Sequence, residues 1–257
     1  MLPDLPVRQS MAPADIMADL TRTGLALVDS VTGAAQLVEL TRSLGATVVP
    51  HRDSGPDGVT VIEDRGARDA ALAGFARSPL SPHTDRSGSA CPPDLLLTAC
   101  GRAATAGGEA LLVDGRAVYL DLMQNAPDAL HGLATPRSAL FGGADGQLCS
   151  MFTTEGGTVA IRLRLDSLAR FGPAAAPHVP ALRAAIGRHT RTVPMRAGFG
   201  YVLDNRRWLH GRRAYNGPRL LYRVLASARP GSIAGGFTEV DADSSTDFDR
   251  LAVSRRP

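Results

Sequence analysis

The stretch Ser81–Gly88, SPHTDRSG, sets a histidine and an aspartate two positions apart just before the apolar run Leu95-Leu96-Leu97. Two readings compete for it. Short polar residues ahead of a strand make turns, because their side chains bond to the nearby backbone. Alternatively, side chains at i and i+2 of an extended segment leave from one face, about 6–7 Å apart at the base. His83 and Asp85 could then converge on one ion, and an imidazole with a carboxylate suits iron(II), manganese or zinc. Under either reading a strand follows, which sets the class of structure expected around it.

A metal site needs a third donor, and five other histidines are available: His51, His131, His178, His189 and His210. His131, His178 and His189 fall in or beside predicted helices with no other donor type nearby. His51, in PHRDSGPDG, repeats the histidine-acid pattern with Asp53 and competes for the role. His210 stands apart, because it follows a strand in GYVLDNRRWLHGRRAYNGPRLLYRVLAS and precedes another that Arg219 opens. Arg219 and Arg223 share a face of that largely apolar strand. Buried arginines call for anionic partners, and the planar guanidinium suits a carboxylate because it donates two parallel hydrogen bonds. The competing reading is an edge strand whose arginines pair with the protein's own acids.

Outward from these motifs the pattern is mainly β. Helices are predicted at Pro13–Leu20, stopped by Gly24, and at Gly33–Leu44, closed by Gly45. Two more are predicted at Arg116–Gln124, ended by Pro127, and at Val179–His189. Strand-like runs fall at Leu25–Val28, Thr47–Val49, Val59–Ile62, Asp94–Cys100, Ala110–Val113, Val159–Leu163, Tyr201–Leu203 and Leu220–Ala226, between Gly/Pro-rich loops. Strands and helices do not alternate regularly. This argues against a doubly wound parallel sheet and for an antiparallel sandwich or barrel with helices outside. No repeat and no long linker divides the 257 residues, so a single domain is expected.

Composition narrows the function classes. The chain is 44% hydrophobic and 21% charged, as globular proteins are. Its basic residues are all arginine, and 28 of them against 25 acids leave only +3, too little to argue for nucleic acid. Cys91, Cys100 and Cys149 form no C-x-x-C pair and cannot all pair within one chain, so reduced thiols and a cytoplasmic setting are expected. No window approaches the ~18 apolar residues of a membrane span, and the N-terminal stretch has acids and prolines where a signal peptide would be apolar.

Taken in order, HTDRSG, PPDLLLTAC, GGEALLVDG, LDNRRWLHGRRAY and GPRLLYR resemble the taurine dioxygenase and clavaminate synthase branch of the Fe(II)/2-oxoglutarate-dependent dioxygenases, over about residues 80–226. The resemblance implies a mainly β fold with flanking helices, a double-stranded β-helix or jelly roll of the clavaminate synthase-like kind. Residues 1–75 would form a mixed N-terminal part and 80–226 the core. It implies His83, Asp85 and His210 as the Fe(II) ligands, and 2-oxoglutarate and O2 as co-substrates. Arg219 would grip the distal carboxylate of 2-oxoglutarate. Arg223, with Arg86 and Arg52, would meet a small-molecule substrate carrying a carboxylate. His51, Asp53 and Ser87 are further substrate-contact candidates. The expected activity is hydroxylation or another oxidation of an amino acid or amino-acid-derived molecule in specialised metabolism such as antibiotic biosynthesis. Where the family has a threonine after the glycine-glycine-acid turn this chain has Ala110, and Thr98 or a water is the candidate to replace it. Ala110 leaves open an alternative, a jelly-roll metal-dependent hydrolase or isomerase that does not use 2-oxoglutarate. Two further alternatives are a non-catalytic anion-binding protein and a nucleic-acid binder.

Overall fold

The computed structural model describes residues 7–9, 12–67 and 69–238. Its centre is the strand Leu95–Arg102, grown from the apolar run that follows the quoted motif. On one side it pairs antiparallel with Gly200–Asp204, which pairs in turn with Leu25–Asp29. On the other side lies Leu220–Ser227, which carries the short strands Thr47–Val48 and Thr60–Ile62. Val7–Gln9 completes this seven-stranded sheet in parallel with Leu25–Asp29. A second, four-stranded antiparallel sheet runs Arg191–Val193, Ala110–Asp114, Trp208–Arg212, Leu80–His83.

The two sheets meet through alternate residues of their strands, as period-two geometry requires. Leu96, Cys100, Tyr201, Leu203, Leu221 and Leu225 of the large sheet pack against Ala110, Leu112, Val193 and Trp208 of the small one. The opposite face of the large sheet buries Leu95, Leu97, Val202 and Val224 against the helices Pro13–Thr23 and Ala34–Ser43. Both faces are therefore covered, which is why Leu95-Leu96-Leu97 is a continuous apolar run. Full burial of each such leucine contributes about 1.5–3 kcal/mol. The Trp208 indole N–H donates to the Thr23 carbonyl at 2.8 Å and fastens the first helix to the second sheet.

A third cluster of buried residues joins the helices Gly115–Asn125, Pro127–Ala134 and Val179–His189 to short strands between Ala139 and Phe171. Pro127 follows directly on the end of the first of these helices, as expected. It also opens the next one, in the first-turn position where its missing N–H is not needed. His210 likewise does not merely follow a strand: it lies within one, Trp208–Arg212, after a turn at 205–207. Among the described residues no helix is long and apolar enough to cross a membrane.

Candidate metal centre and anion pocket

His83 ends the strand Leu80–His83, and its ladder partner is His210 in the middle of Trp208–Arg212. Cross-strand partners project from the same face, so the two imidazoles lie side by side, with ring centroids 4.4 Å apart. Asp85 is not part of that strand. It begins the turn 85–88, so the motif is both a turn and a carrier of metal-donor groups. Its Oδ2 stands 4.0 Å from His210 Nε2, beyond hydrogen-bond length, and accepts a 2.9 Å bond from the Arg223 guanidinium.

The protonation states suit a cation. Burial pushes the imidazolium forms out, lowering His83 and taking His210 to about 3, so both rings are neutral near pH 7. Burial alone would raise Asp85, but Arg223 foremost outweighs it and holds the carboxyl at about 2. His83 Nδ1 lies 2.9 Å from the Ser81 carbonyl. A carbonyl only accepts, so Nδ1 carries the proton and Nε2 keeps its lone pair. His210 Nδ1 is buried with no hydrogen-bond partner. Two neutral imidazoles, one ionised carboxylate and an unpartnered ring nitrogen fit a first-row divalent metal. Among the described residues no trio of His, Cys, Asp or Glu is drawn in around a single point. The three side chains are neighbours, with Asp85 engaged by Arg223.

Across from them on the large sheet, Thr98 is the ladder partner of both Tyr201 and Arg223. Arg219 is 4% exposed, donates to the Gly108 carbonyl at 3.1 Å and lies over the Tyr215 ring at 5.2 Å. Burial lowers its pKa, with Tyr201, Cys100 and Tyr215 as its electrostatic neighbours. Ala110 is buried in the layer between the sheets. Thr98 and Tyr201 are buried too, and burial raises the Tyr201 phenol while Thr98 acts in the opposite sense. Arg219, Thr98, Tyr201 and Arg223 therefore line the same interior.

The N-terminal loop reaches this region through His51 rather than Arg52. His51 is half-buried, and Arg223, Asp53, Asp85 and Arg86 are its electrostatic neighbours. The Arg52 side chain is 64% exposed and pairs with Asp53 at 3.4 Å, so the structure does not bring it to the triad. Arg86 stays beside the site with φ +52°, an uncommon backbone state for a residue with a Cβ. Buried Ser87 follows it in the same turn. The remaining histidines lie elsewhere: His189 bonds Asp121 at 2.8 Å, and His178 packs on Gly132 in the helical layer, where His131 also lies.

Several participants were not singled out from the sequence. Arg164 holds Asp166 through two bonds of 2.9 and 2.6 Å, and both are electrostatic neighbours of His83. Their segment is docked on the motif by Thr84, whose N–H donates to the Leu163 carbonyl while its Oγ accepts the Leu163 N–H. Tyr201 is another. Asn205 is the fourth: its amide bonds both backbone groups of Asp85. Only the alternation of GYVLD could have flagged Tyr201 as inward-facing; nothing local distinguishes the other three.

Two sheets thus enclose paired histidines, a neighbouring carboxylate and a buried arginine. Residues 3–225 match the family model described as taurine catabolism dioxygenase TauD, TfdA family. The chain belongs to that family, and is thereby a dioxygenase of the Fe(II)- and 2-oxoglutarate-dependent class. This membership disfavours the hydrolase or isomerase alternative. No curated protein matches the sequence. Among solved structures, an asparagine oxygenase in complex with Fe(II), 2S,3S-3-hydroxyasparagine and succinate superposes with a TM-score of 0.71 at 15% identity, covering 88% of this chain and 83% of that one. The non-heme iron oxygenase OrfP, in complex with Fe, succinate and (3S)-hydroxy-L-Arg, gives 0.66 at 14% identity over 89% and 99%. The PvcB protein from Pseudomonas aeruginosa gives 0.64 at 19% identity over 86% and 84%. At these identities the likenesses show a shared fold.

Proposed function

We propose that the chain hydroxylates, or otherwise oxidises, a free amino acid or amino-acid-derived small molecule, with His83, Asp85 and His210 as the iron(II) ligands. The observation that carries this reading is the His83–His210 ladder pair with Asp85 beside it, faced by the buried Arg219. The two facing sheets support a jelly-roll scaffold, with 80–226 as the core of a single dioxygenase domain spanning 1–257. Bound there, iron(II) with 2-oxoglutarate would supply the oxidising chemistry, releasing succinate and carbon dioxide.

The chain's own groups bind, orient and exclude water. Arg219 presents N–H donors to the distal carboxylate of 2-oxoglutarate, with Thr98 and Tyr201 as hydroxyl partners in place of the threonine that Ala110 replaces. Arg223 holds Asp85 in its ionised, acceptor-only form, so metal binding displaces no proton from it at neutral pH. Beside the site, Arg86 would offer a cation to a substrate carboxylate, with His51 as its electrostatic neighbour. The hydroxylated amino acids held in the two oxygenase complexes above support the same substrate class. Three free cysteines support a reducing, cytoplasmic setting, and a role in specialised metabolism such as antibiotic biosynthesis fits this substrate class.

The test is an anaerobic titration of metal-free protein with iron(II) and 2-oxoglutarate, followed by the visible charge-transfer band of the chelate. The band is expected in wild type, absent in His83→Ala and weakened in Arg219→Ala. Succinate release with L-amino acids under air then identifies the substrate. No band and no succinate would refute the reading.

A further inference from the structure

Two of the three proposed ligands are registered by the sheet itself, since His83 and His210 are ladder partners. Asp85 has no such support, because it lies in a turn outside any strand. Arg223 holds the carboxylate end, but where a turn-borne carboxylate sits also depends on the peptide that carries it. Something else must therefore hold the Asp85 peptide at a fixed distance from His210.

We propose that Asn205 is the positioning residue that sets Asp85 relative to His210; the proposal rests on the metal-site reading above. Asn205 is 2% exposed and opens the turn between Gly200–Asp204 and Trp208–Arg212, five residues ahead of His210. Its Oδ1 accepts the Asp85 N–H at 2.7 Å, and its Nδ2 donates to the Asp85 carbonyl at 3.0 Å. The same Nδ2 donates to the Pro93 carbonyl at 3.0 Å, and the Asn205 backbone N–H donates to the Asp94 carbonyl at 2.8 Å. Both backbone groups of Asp85 are thus held by one side chain, and the two ends of the 85–94 loop are tied to one residue. Through Asn205 the third ligand takes its reference from the segment that carries His210, as His83 does through the ladder. All three are then indexed to Trp208–Arg212. The amide is suited to the task because it offers an acceptor and donors in one plane, matching a peptide's N–H and C=O, with no charge to bury.

A merely structural clamp and a positioning residue differ in what they move. Loss of a loop tie lowers the melting temperature and leaves metal affinity of the folded protein unchanged. Loss of a group that orients a ligand lowers metal affinity, by about 10- to 100-fold in comparable cases. The experiment is anaerobic calorimetric titration of metal-free wild type, Asn205→Ala, Asn205→Asp and His83→Ala with iron(II), with circular dichroism and thermal melts on each. Asn205→Ala is expected to keep a folded spectrum and bind iron(II) about 10- to 100-fold more weakly than wild type. Asn205→Asp, which is isosteric and keeps the acceptor for the Asp85 N–H, is expected to fall between the two. Wild-type affinity in folded Asn205→Ala, with only the melting temperature lowered, overturns the proposal. Should the alanine variant not fold, wild-type affinity in Asn205→Asp overturns it equally. If wild type fails to bind iron(II), or His83→Ala binds as tightly, the metal-site reading has failed and this proposal falls with it.

Discussion

Arg219 and Arg212 are both 4% exposed and both lie over the Tyr215 ring, yet replacing each by methionine should give opposite results. Arg212 gathers the carbonyls of Gly74, Ala76 and Ser78, so its head group fastens the segment that leads into His83. Removing it strands three acceptors. At about 1–3 kcal/mol for each left unsatisfied, and allowing water to reach some of them, Arg212→Met should cost at least about 2 kcal/mol of stability. Arg219 has five N–H donors and, among the described residues, gives one bond, to Gly108, while burial works against its charge. In Arg219→Met the lost bond is offset by no longer burying an under-bonded cation, and stability should change by less than about 1 kcal/mol. Affinity for 2-oxoglutarate should collapse instead. Truncating one partner of a buried, hydrogen-bonded charge pair costs about 2–5 kcal/mol, or roughly 30- to 4,000-fold in Kd. Methionine keeps the length and fills the space with an unbranched chain. Urea unfolding of the metal-free variants gives the first quantity, and calorimetry with manganese(II) and 2-oxoglutarate gives the second. An Arg219→Met protein as destabilised as Arg212→Met, with wild-type 2-oxoglutarate affinity, would refute the reasoning.

Gly211 sits where Trp208–Arg212 passes Leu80–His83, and a Cβ there would lie 2.5 Å from the Leu80 carbonyl oxygen and 2.9 Å from Pro82 N. Gly211→Ala should therefore push the two histidine-bearing strands apart, costing about 1–3 kcal/mol in melts and weakening iron(II) binding beyond that loss; unchanged binding would mean the strands do not set the pair. Arg188, with Asn125 and His189, holds the Asp121 carboxyl below the usual carboxylate range. A depressed folded pKa gives stability that is present above the ordinary value of 3.8 and lost as pH falls below it. Asp121→Asn should accordingly flatten the acid limb of a stability–pH curve, and an unchanged limb would contradict the assignment. Asp204 behaves in the opposite sense: burial raises it to about 6 despite bonds from the Arg206 and Gly236 N–H groups. The native state then holds that proton more tightly than the unfolded chain, so stability declines between about pH 4 and 6. Urea midpoints of Asp204→Asn across that range should lose this slope.

Legibility of the fold followed how local each determinant is. The helix Pro13–Thr23 could be read because its apolar spacing, its opening proline and Gly24 at φ +69° all act within a few residues of one another. Leu95–Arg102 and Leu220–Ser227 could be read because burial on both faces makes a run of apolar residues obligatory. The three-residue strands at Ala139–Phe141, Gln147–Cys149 and Ala169–Phe171 could not. Each is too short to show an alternation, and each depends on another strand for its hydrogen bonds: 139–141 and 147–149 pair locally with each other, while 169–171 reaches 139–141 from further along the chain. The helix that Pro127 opens was missed for a related reason. A proline's effect depends on whether its missing N–H falls inside a helix or in its first turn, and the residue alone does not say which.

The site divides along the same line. His83, Asp85, His210, Arg219 and Arg223 stood out because imidazoles and guanidiniums beside apolar strands have few inexpensive structural uses. What the spacing could not supply was the register that makes His83 and His210 ladder partners, nor the choice of His51 over Arg52 as the loop residue that approaches them. Asn205 was hidden more thoroughly, because DNRR reads as an ordinary turn and it is one: Asp204 accepts the Arg206 N–H there. The turn role and the positioning role are not competitors. A backbone fixed by a tight turn between two strands, each anchored in its own sheet, is a rigid platform outside a strand. A side chain mounted on it can therefore hold a second, looser turn in place, which is what a loop-borne carboxylate requires if it is to meet two strand-borne histidines.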